Sequence, residues 1–387
     1  MTTYDICIVG AGVVGCAIAR ELAGRSLRIL VVERHEDVGR ETSGRNSGVL
    51  HSGIHERPGS LKARLATEGS ALAVAYAARE HLPLLRCGMV IAISREDIRR
   101  GLWREISMLR RLWVNAWRSK IRMSFVTAAG LRRCEPNLRA SCGIVIPGVS
   151  VIDPLAFVRS LKRDAEAEGA EFAFNNRVIS IDDEGIAYVV TTDRRQVRAS
   201  GVINAAGLYA DDIAGLAMPC HTYRIHPIRG EYYELVTPAK QRVIGRLVYP
   251  ALPPGATGKG MHFGPRPNGQ VFLGPNEVPV EHKSDYLSHP TPPGAFIDAL
   301  QRFVPILEES DLRWAYSGIR PCVLTAERKR SDFIVSVDRT TPLLINLVGI
   351  ESPGLSAAMA LARHVSALPC IRQQLLPSRS SPVDHTH

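Results

Sequence analysis

The residue types best suited to chemistry come first in the chain. Gly10-Ala11-Gly12-Val13-Val14-Gly15 follows an apolar stretch at 6–9 and opens an alanine-rich helical pattern over 13–22, and Glu33 closes the next apolar stretch at 27–32. Each position has a physical task. Gly10 permits a tight turn, Gly12 lets backbone N–H groups approach a pyrophosphate at the helix N-terminus, Gly15 lets the helix pack closely, and Glu33 accepts ribose hydroxyls. Strand, turn, helix, strand and terminal acid together predict dinucleotide binding. The bland alternative, a glycine-rich packing turn, needs every one of these companions by coincidence.

The glycine run alone does not separate FAD from a nicotinamide cofactor. A flavoprotein that is reduced by NAD(P)H generally carries a second nucleotide fold, and no later strand here ends in a second such run. Two further stretches favour FAD: Thr42-Ser43-Gly44-Arg45-Asn46-Ser47-Gly48, and Asn204-Ala205-Ala206-Gly207-Leu208-Tyr209-Ala210-Asp211 after an apolar strand at 201–203.

The elements that must position these residues follow from periodicity. A helix is expected over 60–81, capped by Ser60, with Leu61, Leu65, Leu72 and Tyr76 at helical intervals. A strand is expected over 88–94, a charged helical region over 96–137, and a helix over 151–168 begun by Asp153-Pro154. Segments 178–181, 187–192 and 197–202 alternate as strands, and 221–276 reads as short antiparallel strands outside the nucleotide fold. Strand, turn and helix return over 343–364. The expected class is α/β, with a discontinuous nucleotide domain at 1–85, 145–220 and 320–372 and a second domain at 86–144 and 221–319. The Ser-, Pro- and His-rich tail over 373–387 is expected to be disordered.

Composition is that of a folded, soluble enzyme. With 387 residues and 45% hydrophobic content, the chain is large enough for two connected domains around a large buried cofactor. The eight cysteines include no C-x-x-C pair, which fits reduced thiols in a cytoplasm, and neither a signal peptide nor an 18-residue apolar span is evident. Arginine accounts for most of the formal charge of +10 and is densest between 99 and 133. Such a surface steers acidic small molecules or contacts anionic lipid; nucleic acid is disfavoured, because no basic cluster is expected to interleave with exposed aromatics.

The run Ser43-Gly44-Arg45-Asn46-Ser47-Gly48-Val49-Leu50-His51-Ser52-Gly53-Ile54, followed by Pro58-Gly59-Ser60-Leu61-Lys62-Ala63-Arg64, resembles the L-2-hydroxyglutarate dehydrogenase/oxidase family of the D-amino-acid-oxidase-like flavoproteins. Arg229-Gly230-Glu231-Tyr232-Tyr233, Leu247-Val248-Tyr249-Pro250, Gly260-Met261-His262-Phe263, Leu273-Gly274-Pro275-Asn276, Gly318-Ile319-Arg320-Pro321 and Gly349-Ile350-Glu351-Ser352-Pro353-Gly354-Leu355 are similar to it in order and spacing. The resemblance implies a glutathione-reductase-type Rossmann FAD domain with an inserted mixed or antiparallel substrate sheet. It also implies oxidation of a 2-hydroxy acid, by hydride transfer from C2 to flavin N5. Oxygen, a quinone or an electron carrier would then take the electrons. Amino- or imino-acid oxidation and glycerol 3-phosphate oxidation on the same scaffold are the alternatives, with a basic flavoprotein sensor as the nonenzymatic one.

Site roles follow from the same resemblance. The FAD contacts implied are Val13, Val14, Arg34, Thr42, Ser43, Arg177, Val178, Ala206 and Gly207 beside the glycines and Glu33. Arg45, Asn46, Ser47 and Gly48 would lie along the flavin, and Gly318, Arg320, Glu351, Ser352, Pro353, Gly354 and Leu355 would complete its pocket, unless Glu351 only caps the helix that follows. His51 is the first candidate base, against a structural histidine bonded to backbone, and His262 is the second; imidazole suits removal of a hydroxyl proton near neutral pH. Arg320 is the first choice for a substrate carboxylate, with Arg229, Tyr233 and Tyr249 as helpers, although a salt bridge is an equal reading of Arg229. No metal site is expected. The chain departs from the family at His55-Glu56, where paired aromatics are usual, at 251–259, and at the basic stretch 322–330. His55 is placed with the substrate contacts, as a second base or a covalent flavin anchor, against a surface-loop histidine.

Overall fold

The computed structural model describes residues 1–25, 27–252 and 260–374. Of the departure at 251–259, residues 253–259 lie outside them, as does the expected disordered tail from 375 onward; residues 373 and 374 end the helix Pro369–Gln374 instead.

The first sheet has eight strands among the described residues. Thr2–Val9 runs parallel to Ile29–Val32 on one side and Gln196–Asn204 on the other, and Leu343–Val348 and Glu171–Ala173 extend the parallel set. Ile29–Val32 and Leu343–Val348 are buried along their whole length, as expected of strands covered on both faces. The helices Val13–Ala23, Leu61–Arg79, Pro154–Ala167 and Gly354–Ser366 supply much of one core with this sheet. Their starts are chemically marked. Ser60 accepts from the Ala63 N–H, and the Asp153 carboxylate accepts from Leu155 and Ala156 ahead of an N1 proline.

The second sheet has nine strands among the described residues. It is antiparallel apart from Leu247–Pro250, which pairs parallel with Met89–Ile93. Its long pair, His226–Leu235 with Leu312–Cys322, lies against the loop after Ile29–Val32. Thr42 Oγ1 donates to the Ile319 carbonyl (2.7 Å) and Tyr316 Oη to that of Asn46 (2.7 Å). A Cβ at Gly318 would stand 1.9 Å from the Arg45 carbonyl oxygen, so only glycine allows this approach. The architecture is an α/β glutathione-reductase-type nucleotide fold with a second sheet packed over the cofactor loop.

The charged region 96–137 is not one helix. It forms Arg95–Arg118, kinked at Gly101, then the strand Ser124–Thr127 and the helix Ala128–Cys134. It also overturns the expectation that basic and exposed aromatic residues do not mix here. Trp103, Trp113 and Trp117 are exposed among the arginines, because Met108, Leu112 and Ala116 take the inward face of the helix.

Candidate active site

A cavity of about 740 Å³ opens where the two sheets meet. Its nucleotide side is set by the first turn. A Cβ at Gly15 would lie 1.9 Å from the Gly10 carbonyl oxygen, so the helix packs on the turn as a glycine there requires. Gly12 passes Ser43, whose Oγ accepts from the Val13 N–H at 2.9 Å and ties the helix start to the 42–48 loop. Glu33 accepts from the backbone N–H of Ala11 (2.8 Å) and of His35 (2.9 Å). Two carboxylate oxygens have further acceptor capacity. Arg34 lies 3.9 Å over the Tyr209 ring, and both line the cavity.

The 42–48 loop is internally braced. Asn46 Nδ2 donates to the carbonyls of Thr42 (3.0 Å) and Ser43 (2.7 Å), while its Oδ1 accepts from the Gly48 N–H (2.8 Å). Gly48 has φ +73°, which suits glycine there. This presents Arg45, Asn46 and Ser47 to the cavity.

Three histidines gather around one phenol. The rings of His262, His55 and His51 lie 4.0, 5.7 and 6.4 Å from that of Tyr249, with His262 stacked on it. All three histidines line the cavity. The backbone N–H of His51 donates to Ser356 Oγ (2.8 Å), on the helix Gly354–Ser366, which fixes the segment that carries its ring. Tyr232 faces the cavity and stacks on Tyr316 at 4.7 Å. Burial pushes its ionisation well up, so the phenol keeps its proton.

A chain of charges crosses the same region. Arg320 and Arg330 both reach Oε1 of Glu277, at 2.7 and 2.9 Å. Arg330 continues to Glu351 (3.0 Å), whose other oxygen meets Lys62 (2.9 Å). Burial favours the neutral acid at Glu351, but Lys62 and Arg330 outweigh it and hold the carboxyl below the usual glutamate range. Glu351 therefore does not cap the following helix; Pro353 is the N-cap, and among the described residues no side chain caps it.

Most residues singled out from the sequence line this cavity: Gly10, Gly12, Val13, Val14, Glu33, Arg34, Thr42, Ser43, Arg45, Asn46, Ser47, His51, His55, Arg177, Val178, Ala206, Gly207, His262, Gly318, Arg320 and Glu351 through Leu355. Gly15 and Gly48 stand behind it as packing positions. Arg229, Tyr233 and Tyr249 do not line it. Arg229 is 1% exposed, paired with Glu231 and Asp285 and donating to the carbonyls of Ser288 and His289. Tyr233 donates to the Thr291 carbonyl and packs on Phe296 and Trp314. Strand alternation explains both corrections: Gly230 and Tyr232 take the cavity face, so Arg229, Glu231 and Tyr233 take the other. Tyr249 is fully buried behind His262, and its Oη has no hydrogen-bond partner among the described residues. Sequence reasoning missed Tyr232 and Glu277 as cavity residues, and singled out Arg330 only as part of the basic stretch 322–330.

Residues 5–368 match the DAO family model, described as FAD dependent oxidoreductase. The chain belongs to that family. Its cofactor is FAD, and the glycine turn, Glu33 and the braced 42–48 loop form a cradle into which a dinucleotide fits. This FAD-dependent oxidoreductase is 29% identical to the mitochondrial L-2-hydroxyglutarate dehydrogenase of Arabidopsis thaliana, covering 94% of this chain and 82% of that one. It is 27% identical to a glycerol 3-phosphate dehydrogenase of Caloramator mitchellensis, covering 94% and 73%. Among solved structures it is similar to a dithionite-reduced L-α-glycerophosphate oxidase from Mycoplasma pneumoniae with FAD bound, with a TM-score of 0.83, 26% identity and coverage of 98% and 96%.

Proposed function

We propose that this enzyme oxidises an L-2-hydroxy acid, with L-2-hydroxyglutarate as substrate and 2-oxoglutarate as product. The observation that carries this reading is the convergence of Arg320 and Arg330 on Glu277 at the cavity wall. Two guanidinium groups that already hold a carboxylate form a receptor for substrate carboxylates, since the planar fork matches that anion. A diacid offers a partner to each arginine; a monoacid satisfies one. Relatives named as L-2-hydroxyglutarate dehydrogenases support the same substrate.

FAD, when bound, supplies the acceptor at flavin N5 for the hydride that leaves C2. His51 takes the hydroxyl proton on its imidazole, and His262 is the second candidate for that role. Tyr232, kept protonated, donates a hydrogen bond to the substrate. Arg320 holds the carboxylate next to C2, and Arg330 holds the distal one. Oxygen, a quinone or an electron carrier receives the electrons afterwards.

A second reading, oxidation of glycerol 3-phosphate, is favoured by the relative and the solved structure named for that compound, because a phosphate dianion also suits two arginines. Turnover with an artificial electron acceptor tests the choice. The proposal expects 2-oxoglutarate from L- but not D-2-hydroxyglutarate; turnover of glycerol 3-phosphate alone would move the assignment to the second reading.

A further inference from the structure

The helix Arg95–Arg118 carries a surface that the reaction does not use. Trp103, Ile106, Arg110, Trp113 and Trp117 recur at intervals of three and four, so they share a stripe within about 80° of arc. That stripe faces outward, with Trp103 81%, Ile106 43%, Trp113 61% and Trp117 72% exposed. The opposite stripe, Met108, Leu112 and Ala116, is buried in the protein. Apolar groups thus occupy both sides of the helix, and only one of them has a place in the core. Such a contiguous exposed patch marks an interaction surface.

Arg104, Arg111 and Arg118 repeat every seven residues and flank the tryptophan stripe, all exposed. Residues 95–133 hold eleven Lys and Arg against three Asp and Glu. We propose that this face binds an anionic lipid bilayer surface, with the tryptophans at headgroup depth and the arginines on lipid phosphates. Tryptophan prefers that interface, and basic residues beside an apolar stripe add attraction to anionic lipid. A second copy of the chain is disfavoured, because it would set this cationic face against itself. Nucleic acid is a poorer fit as well: the stripe is convex, whereas single-strand binders stack bases within a basic groove. The contact is peripheral, since no described helix is long and apolar enough to cross a membrane.

The surface is joined to the cavity. Asn115, on the inward side of the same helix, donates from Nδ2 to the carbonyls of Ile54 (2.8 Å) and Glu56 (3.1 Å), the residues flanking cavity-lining His55. The inference does not depend on which acid the enzyme oxidises.

The test is co-sedimentation of the FAD-loaded enzyme with vesicles of phosphatidylcholine alone and of phosphatidylcholine mixed with phosphatidylglycerol. The expected result is pelleting with the mixed vesicles, weakened by salt and accompanied by a blue shift of tryptophan emission. Two combined variants should each bind the mixed vesicles about tenfold more weakly or worse: Trp103→Ser with Trp113→Ser and Trp117→Ser, and Arg104→Glu with Arg111→Glu and Arg118→Glu. Both alter exposed residues, and retained flavin content and turnover would show that they fold. Absence of pelleting, variants that bind like the wild type, conversion of a dimer to monomers by the tryptophan variant, or tighter binding to random duplex DNA than to vesicles would each overturn the proposal.

Discussion

The guanidinium groups of Arg320 and Arg330 meet on a single oxygen of Glu277, at 2.7 and 2.9 Å. If substrate carboxylates replace Glu277 there, Arg320→Met should lower kcat/KM for L-2-hydroxyglutarate about 10- to 100-fold, the range set by a lost charged hydrogen bond. Arg330→Met should weaken L-2-hydroxyglutarate more than L-lactate, which has no distal carboxylate. Equal losses for the two acids would remove Arg330 from substrate recognition.

His51 is held from behind by Ser356 and faces the cavity. His51→Gln should retain flavin and slow anaerobic flavin reduction about 10²- to 10⁴-fold, as expected for a lost general base. Near-normal reduction in this variant, with a large loss in His262→Gln, would transfer the role to His262.

Arg229 and Tyr233 give the opposite expectation. Tyr233→Phe should leave the kinetic constants near those of the wild type, because its hydroxyl donates to the Thr291 carbonyl and the residue does not line the cavity. Arg229→Met should cost about 3–5 kcal/mol of stability by leaving buried Glu231 without its cation. Thermal melts beside steady-state kinetics separate the two effects.

Lys62 and Glu351 lie 2.9 Å apart, both buried. The folded-state carboxyl of Glu351 titrates below its unfolded value, so the stability it contributes is present above the ordinary glutamate pKa and is lost as pH falls through the lowered one. Lys62→Met should lower Tm at neutral pH and flatten this acid-side loss. A variant melting with the wild-type pH profile would contradict the linkage.

Gly15→Ala should yield protein depleted of flavin, because the added Cβ meets the Gly10 carbonyl oxygen at 1.9 Å and forces the turn open. Flavin absorbance per mole of purified protein reads this directly.

The nucleotide half of this fold is legible in the sequence because its constraints are local. A turn that admits only glycine, an acid at a strand end, Ser60 at a helix cap and Asp153 before a proline each declare an element within a few residues. The substrate half is less so. Tyr232 and Tyr233 are adjacent and chemically alike, and only the pairing of His226–Leu235 with its neighbours, irregular between these two residues, decides which one faces the cavity. Glu277 escaped notice because an acid beside an anion site looks adverse until the two arginines it bridges are seen. The exposed tryptophans were hidden for a related reason. Helical periodicity gives two apolar stripes in 103–117, and sequence alone does not say which one the core takes.

The most direct measurement is anaerobic bleaching of the flavin's visible absorbance in the purified enzyme by L-2-hydroxyglutarate, beside its D enantiomer, L-lactate, D-amino acids and glycerol 3-phosphate. The account predicts rapid bleaching by L-2-hydroxyglutarate and little by the others. Rapid bleaching by glycerol 3-phosphate or an amino acid, with none by L-2-hydroxyglutarate, would contradict it.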